Sequence, residues 1–81
     1  MATHTVQSPL PGVFYRRPDP TKPAYVEEGA EVTADQTIAL VEIMKQFAEI
    51  KAGVDGTLVA FAVQDGDVLG PGDAIATVEV A

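Results

Sequence analysis

An internal repeat constrains the fold more than any other feature of the chain. Residues 26–42, VEEGAEVTADQTIALVE, lie against residues 63–79, VQDGDVLGPGDAIATVE, without a gap. Val26 matches Val63, Gly29 matches Gly66, Ile38 and Ala39 match Ile75 and Ala76, and Val41 and Glu42 match Val78 and Glu79. A repeat outranks local pattern, because two copies of one motif are expected to follow one backbone path. In the second copy Pro71 and Gly72 open AIATVEV, a short run with strand alternation. The first copy therefore reads TIALVEI as a strand as well. Local periodicity alone points elsewhere: Leu40, Ile43, Met44, Phe47 and Ile50 recur near helical spacing, with Asp35 placed to cap and Gly53 to stop a helix. The repeat overrides that helical reading.

An upstream segment repeats at a different offset. SPLPGVF at 8–14 lies against AGVDGTL at 52–58, with Gly12 on Gly56, an offset of 44 where the first was 37. The first half thus carries seven extra residues, the difference of those offsets, and they fall within YRRPDPTKPAY. Three prolines there exclude a regular central strand, so the excess reads as a protruding loop. Strands are expected at about 5–8, 12–15, 24–27, 37–43, 46–52, 57–64 and 74–80. Each half is too small to bury its apolar face alone, so the expected fold is all-β, a two-layer antiparallel structure with pseudo-twofold symmetry. Strands 37–43 and 46–52 then form a hairpin with Met44 and Lys45 at its tip. That tip lacks the Asn-Gly or Gly chemistry of a tight turn, so its residues are kept despite a backbone cost, which points to function.

Composition narrows the classes. With 81 residues the chain is expected to be one domain, 1–81, and with no cysteine it has neither disulfides nor a thiolate metal site. Six prolines and seven glycines favour short strands and many turns. Twelve acidic against five basic residues give a formal charge of −7, which would repel nucleic acid and anionic lipid and suits a protein partner with a basic groove. No stretch approaches a membrane span of roughly 20 apolar residues, and MATHTVQSPL lacks a signal-peptide pattern. A soluble, cytoplasmic domain is expected.

Few side chains offer chemistry. Of the three lysines, Lys22 falls in the proline-rich insertion, Lys51 ends the returning strand, and Lys45 alone sits at the projecting tip. His4 is a lone histidine in an N-terminus expected to fray, without a second metal ligand nearby. Glu42 and Glu49 flank the tip as solvated strand faces. Arg16 and Arg17 either contact a partner or solubilise the loop. Gly12, Gly29, Gly56 and Gly66 recur at equivalent turns, where positive backbone dihedrals are expected.

At this point SPLPGVFYR at 8–16, VEEGAEVTADQTIALVEIMKQFAEIKA at 26–52 and GTLVAFAVQDGDVLGPGDAIATVEV at 56–80 resemble the biotinyl domain of biotin carboxyl carrier proteins, in the biotin/lipoyl attachment family. The resemblance implies a flattened barrel-sandwich hybrid of two four-stranded antiparallel sheets. The family motif is commonly Glu-Ala-Met-Lys-Met. Glu42, Met44 and Lys45 match it, which implies biotin covalently on Lys45 with Met44 as its recognition neighbour. Ile43 and Gln46 depart from it, the first adding bulk beside the tip and the second removing an apolar neighbour. Met44 before Lys45 favours biotin over lipoate, whose domains usually carry Asp-Lys.

The insertion resembles the thumb of acetyl-CoA carboxylase carriers, which in that family lies over biotin. Carried over, the thumb comprises Arg16, Arg17, Pro18, Asp19, Pro20, Thr21, Lys22, Pro23 and Ala24. Proline stiffening suits such a loop, since less entropy is lost when it docks. The implied function is that of a non-catalytic carrier: biotin protein ligase loads Lys45, and the arm moves a carboxyl group from biotin carboxylase to a carboxyltransferase. Acetyl-CoA carboxylase, and so malonyl-CoA formation for fatty acid biosynthesis, is the leading expectation. A chain that begins at Met1 and enters the fold almost at once also keeps open an excised domain or a free-standing carrier for an amide- or urea-type acceptor. Ile43 and Gln46 keep open an unmodified biotinyl-like binding subunit.

Overall fold

The computed structural model describes residues 2–19 and 21–80, and among them every regular element is a strand. The strands are β1 (Thr3–Gln7), β2 (Gly12–Tyr15), β3 (Glu31–Val32), β4 (Thr37–Ile43), β5 (Gln46–Lys51), β6 (Gly56–Phe61), β7 (Val68–Leu69) and β8 (Ala74–Val80). They form two four-stranded sheets, ordered β1-β8-β6-β3 and β5-β4-β2-β7, with every pairing antiparallel. Replacing each strand of the first sheet by its counterpart in the other half (β1 by β5, β8 by β4, β6 by β2, β3 by β7) reproduces the second sheet. The repeat is therefore a pseudo-twofold relation between two layers, and the extents of 37 × 27 × 19 Å describe a flattened sandwich.

Equivalent positions bury equivalent side chains between the layers. Phe14 and Leu58, Ile38 and Ile75, and Val41 and Val78 have no exposed surface, and Val6 with Ile50 and Val32 with Leu69 complete the core. Burial of each such side chain stabilises by about 1.5–3 kcal/mol. Polar turns repeat too. Gly29 N–H donates to Leu58 O as Gly66 N–H donates to Phe14 O, and both glycines have φ near +90°.

Several expectations need correction. No strand occupies 24–27. Val26 is buried there, but Tyr25 contributes one backbone bond, from its N–H to Arg16 O, and the chain bends at Tyr25–Val26 instead of running extended. The third strand is instead β3, and β7 is its unanticipated counterpart; each has two residues, too few to show alternation. The 46–52 strand ends at Lys51 and the 57–64 strand at Phe61. The N-terminus is ordered rather than frayed from Thr3, since His4 pairs with Val78 in β1. Gly12 and Gly56 do not have positive φ, unlike Gly29 and Gly66.

Candidate functional site

β4 and β5 are joined by a two-residue turn. Ile43 faces Gln46 as the last pair, Glu42 faces Phe47 before it, and Met44 and Lys45 form the apex. Their φ values are +50° and +68°. Positive φ at both central positions is what a hairpin turn matched to strand twist requires, and there Gly or Asn is the usual residue. Side chains with a Cβ pay roughly 1–2 kcal/mol each in that region. The strain places two long side chains outward: Met44 is 91% exposed, and Lys45 is exposed beside it.

Three of the other four Lys and Arg side chains, Lys51, Arg16 and Arg17, are engaged by neighbours. Lys51 Nζ donates to Glu49 Oε1 and to Thr37 Oγ1, each at 2.9 Å. The hydrogen bond from Lys51, followed by that from Thr37, holds the Glu49 carboxyl below the usual range. Arg16 places its guanidinium 4.4 Å from the Phe61 ring centroid and 3.6 Å from Glu27, and Arg17 lies 3.6 Å from Asp65. The ion pairs among the described residues thus engage Arg16, Arg17 and Lys51, and neither Lys22 in the insertion nor Lys45 at the apex.

The insertion leaves β2 beside the hairpin. Its two ends are tied by Tyr25 N–H to Arg16 O at 2.9 Å, and its bend is closed by Thr21 N–H to Asp19 Oδ1 at 2.7 Å. Side-chain and backbone bonds from Thr21 hold the Asp19 carboxyl below its ordinary value. Thr21, Lys22 and Pro23 are exposed and Ala24 half-buried, while Pro20 lies outside the described residues.

Between the insertion and the hairpin lies an open cleft of about 590 Å³, lined by Tyr15, Arg17, Pro18, Asp19, Glu42, Phe47 and Asp65. Glu42 is not simply solvated. Burial, then the charge and hydrogen bond of Glu42, push the Tyr15 phenol above its ordinary value. On the other side of Phe47 a smaller groove of about 380 Å³ is lined by Leu10, Ile43, Met44, Gln46 and Ala48 as well as Phe47. Leu10, Met44 and Phe47 are exposed apolar side chains, and they converge there. Sequence reasoning brought together Glu42, Ile43, Met44, Lys45 and Gln46 but missed Tyr15, Phe47 and Asp65. For Asp65 the signal was its repeat equivalence to Glu28; no local signal marks Tyr15 or Phe47. Among the described residues no cluster of metal-ligating side chains forms, and no helix is long and apolar enough to cross a membrane.

The profile of the family described as biotin-requiring enzyme matches residues 4–78 of this chain. The chain belongs to that biotin/lipoyl family. Within it, the biotin carboxyl carrier protein of acetyl-CoA carboxylase from Pyropia yezoensis is 39% identical over 75 residues, covering 93% of this chain and 48% of that protein. The protein of the same name from Haemophilus influenzae is 36% identical over 69 residues, covering 85% and 44%. The chain therefore spans about half the length, or less, of these relatives. Two solved structures share the biotin/lipoyl fold: a single-chain, multi-domain long-chain acyl-CoA carboxylase (TM-score 0.80, 22% identity, 98% of this chain and 7% of that one), and the Kluyveromyces lactis urea carboxylase (TM-score 0.79, 23% identity, 98% and 6%).

Proposed function

We propose that this chain is the carrier domain of an acetyl-CoA carboxylase, with biotin joined through an amide to Lys45 Nζ. The observation that carries the reading is the apex itself: an exposed lysine held at positive φ on a two-residue turn, in a family described as biotin-requiring. The carboxylase assignment rests on the names of relatives 36–39% identical to this chain.

The residues present fit the group. Lys45 supplies an amine with no ion-pair partner among the described residues for biotin protein ligase to acylate, and Met44 offers that ligase an apolar side chain beside it. The cleft offers an aromatic face at Phe47, a phenol at Tyr15 and a carboxylate at Glu42, which suit the apolar and urea parts of biotin. When bound, biotin supplies a ring nitrogen that takes up and gives up a carboxyl group. The chain's part is to position: a rigid hairpin presents the arm, and tethering raises its effective concentration at a biotin carboxylase and then at a carboxyltransferase. On this reading the domain is a non-catalytic carrier and works in the cytoplasm.

Co-expression with a biotin protein ligase tests the reading by intact mass. One added biotin is expected, lost in Lys45→Arg and kept in Lys22→Arg and Lys51→Arg. An unmodified mass under conditions that label a control carrier overturns it; retained binding to biotin carboxylase would then point to an unmodified binding subunit.

A further inference from the structure

Asp65 lies in the bend after β6, in the second half of the repeat, yet its carboxylate reaches the root of the insertion in the first half. Oδ1 accepts the Arg16 backbone N–H at 2.6 Å, and Oδ2 lies 3.6 Å from Arg17 Nε. The repeat separates an inherited task from an added one. Glu28, the counterpart of Asp65, accepts the backbone N–H of Phe61 at 2.8 Å, so a carboxylate binding the amide at the end of β2 or β6 is common to both halves. Ala62 follows Phe61 where Arg17 follows Arg16, so only the Asp65 copy also meets a cation. Only that copy adjoins the insertion.

We propose that Asp65 is a positioning residue that latches the thumb-like insertion at its root and keeps the cleft against Glu42 and Phe47 formed before any ligand arrives. Two tethers converge on it. The Arg16 tether is a short, charge-assisted bond to a backbone amide, the stronger kind. The Arg17 tether joins side chains about 40% exposed, which solvent and salt weaken. The amide bond therefore carries most of the latch, and the ion pair fixes the direction in which Arg17 and Pro18 leave it. Arg16 reinforces the root from its other side through Glu27 and the Phe61 ring. The loop beyond the root is closed by its own bonds, at Asp19–Thr21 and Asp19–Lys22. Those bonds do not involve Asp65. Asp65 also lines the cleft, so the latch and the wall are one side chain.

Amide hydrogen exchange on the unmodified Lys45→Arg protein tests this without reference to biotin, so failure of the carrier reading leaves the outcome unaffected. Loss of a charge-assisted bond is expected to speed exchange at the root amides of Arg16 and Tyr25 by about tenfold in Asp65→Ala, while Thr21 and Lys22, whose amides bond to Asp19 within the loop, stay close to the parent. Amides of Leu40 and Ile75 serve as controls for global stability. Asp65→Asn retains an oxygen for the Arg16 amide and is expected to restore its protection to within about threefold of the parent. Arg17→Gln is expected to add little to Asp65→Asn, because both remove the same ion pair. Exchange in Asp65→Ala within about twofold of the parent at both Arg16 and Tyr25 overturns the latch. Should Asp65→Ala fail to fold, Asp65→Leu, which also lacks an acceptor, decides on the same readout. Equal loss of Arg16 protection in the Asn and Ala variants overturns the assignment of the amide bond as the dominant tether.

Discussion

Gly12 passes so close to Glu42 that a Cβ on the glycine would lie 2.6 Å from the Glu42 carbonyl oxygen and 2.5 Å from Val41 Cγ1. Gly56 stands in the same relation to the carbonyl of Glu79, the repeat equivalent of Glu42. These glycines are needed for close approach and not for positive φ. β4 is held on both sides, by β2 and β5, so its carbonyl cannot retreat. Gly12→Ala is expected to destabilise the fold by about 3 kcal/mol through forced overpacking. Urea denaturation reads the loss, and a change below about 1 kcal/mol would mean that the strand yields.

Glycine at the tip has the opposite effect. Replacing Met44 and Lys45 together by Asn and Gly supplies residues that accept positive φ, and it is expected to stabilise by about 1–2 kcal/mol in thermal or urea unfolding. The same variant has no lysine at the apex and is expected to take up no biotin at the hairpin. A stabilised fold with a silenced site would show that the turn residues are retained against stability.

How much of this was legible in the sequence follows from what each element depends on. β4 and β8 could be read because the repeat supplied two copies of one strand, overriding the helical spacing of Leu40, Ile43, Met44 and Phe47. The tip could be read because Met44 and Lys45 are the wrong residues for the turn their position demands. β3 and β7 could not: each contributes one buried residue, Val32 or Leu69, and a period of two needs a longer run. Val26 reads as part of a strand at 24–27 because an apolar residue buried in a bend looks the same in sequence as one in a strand. The cleft was hidden for another reason. Its walls meet through Arg16 and Asp65, 49 residues apart, and no local pattern encodes that contact.

Acid should weaken the outer face of the hairpin. The Glu49 carboxyl titrates lower in the folded chain because Lys51 and Thr37 bond its charged form. A depressed folded value means stabilisation present above the unfolded range near 4.5 and lost as pH falls through the folded value. Glu49→Gln should therefore lose less thermal stability than the parent between about pH 5 and pH 3. Melting curves across that window check it, and parallel curves for the two proteins would remove Glu49 from the acid response.

The two departures from the commonest attachment motif should separate into a packing residue and a recognition residue. Ile43 is half-buried against the core, and its Cγ1 would lie 2.9 Å from a Cβ on Gly12, so it fills the space that glycine leaves. Ile43→Ala is expected to cost about 1–2 kcal/mol of stability, less than for a fully buried isoleucine, with the ligase rate within about twofold of the parent. Gln46 is exposed and interrupts an apolar strip formed by Leu10, Met44 and Phe47. Gln46→Met makes that strip continuous. It should leave stability within about 0.5 kcal/mol and raise kcat/KM for biotin protein ligase by about fourfold to fifteenfold, the equivalent of one or two buried methylenes. Ligase kinetics beside urea unfolding on both variants distinguish the roles, and a rate that falls with Ile43→Ala while ignoring Gln46→Met would exchange them.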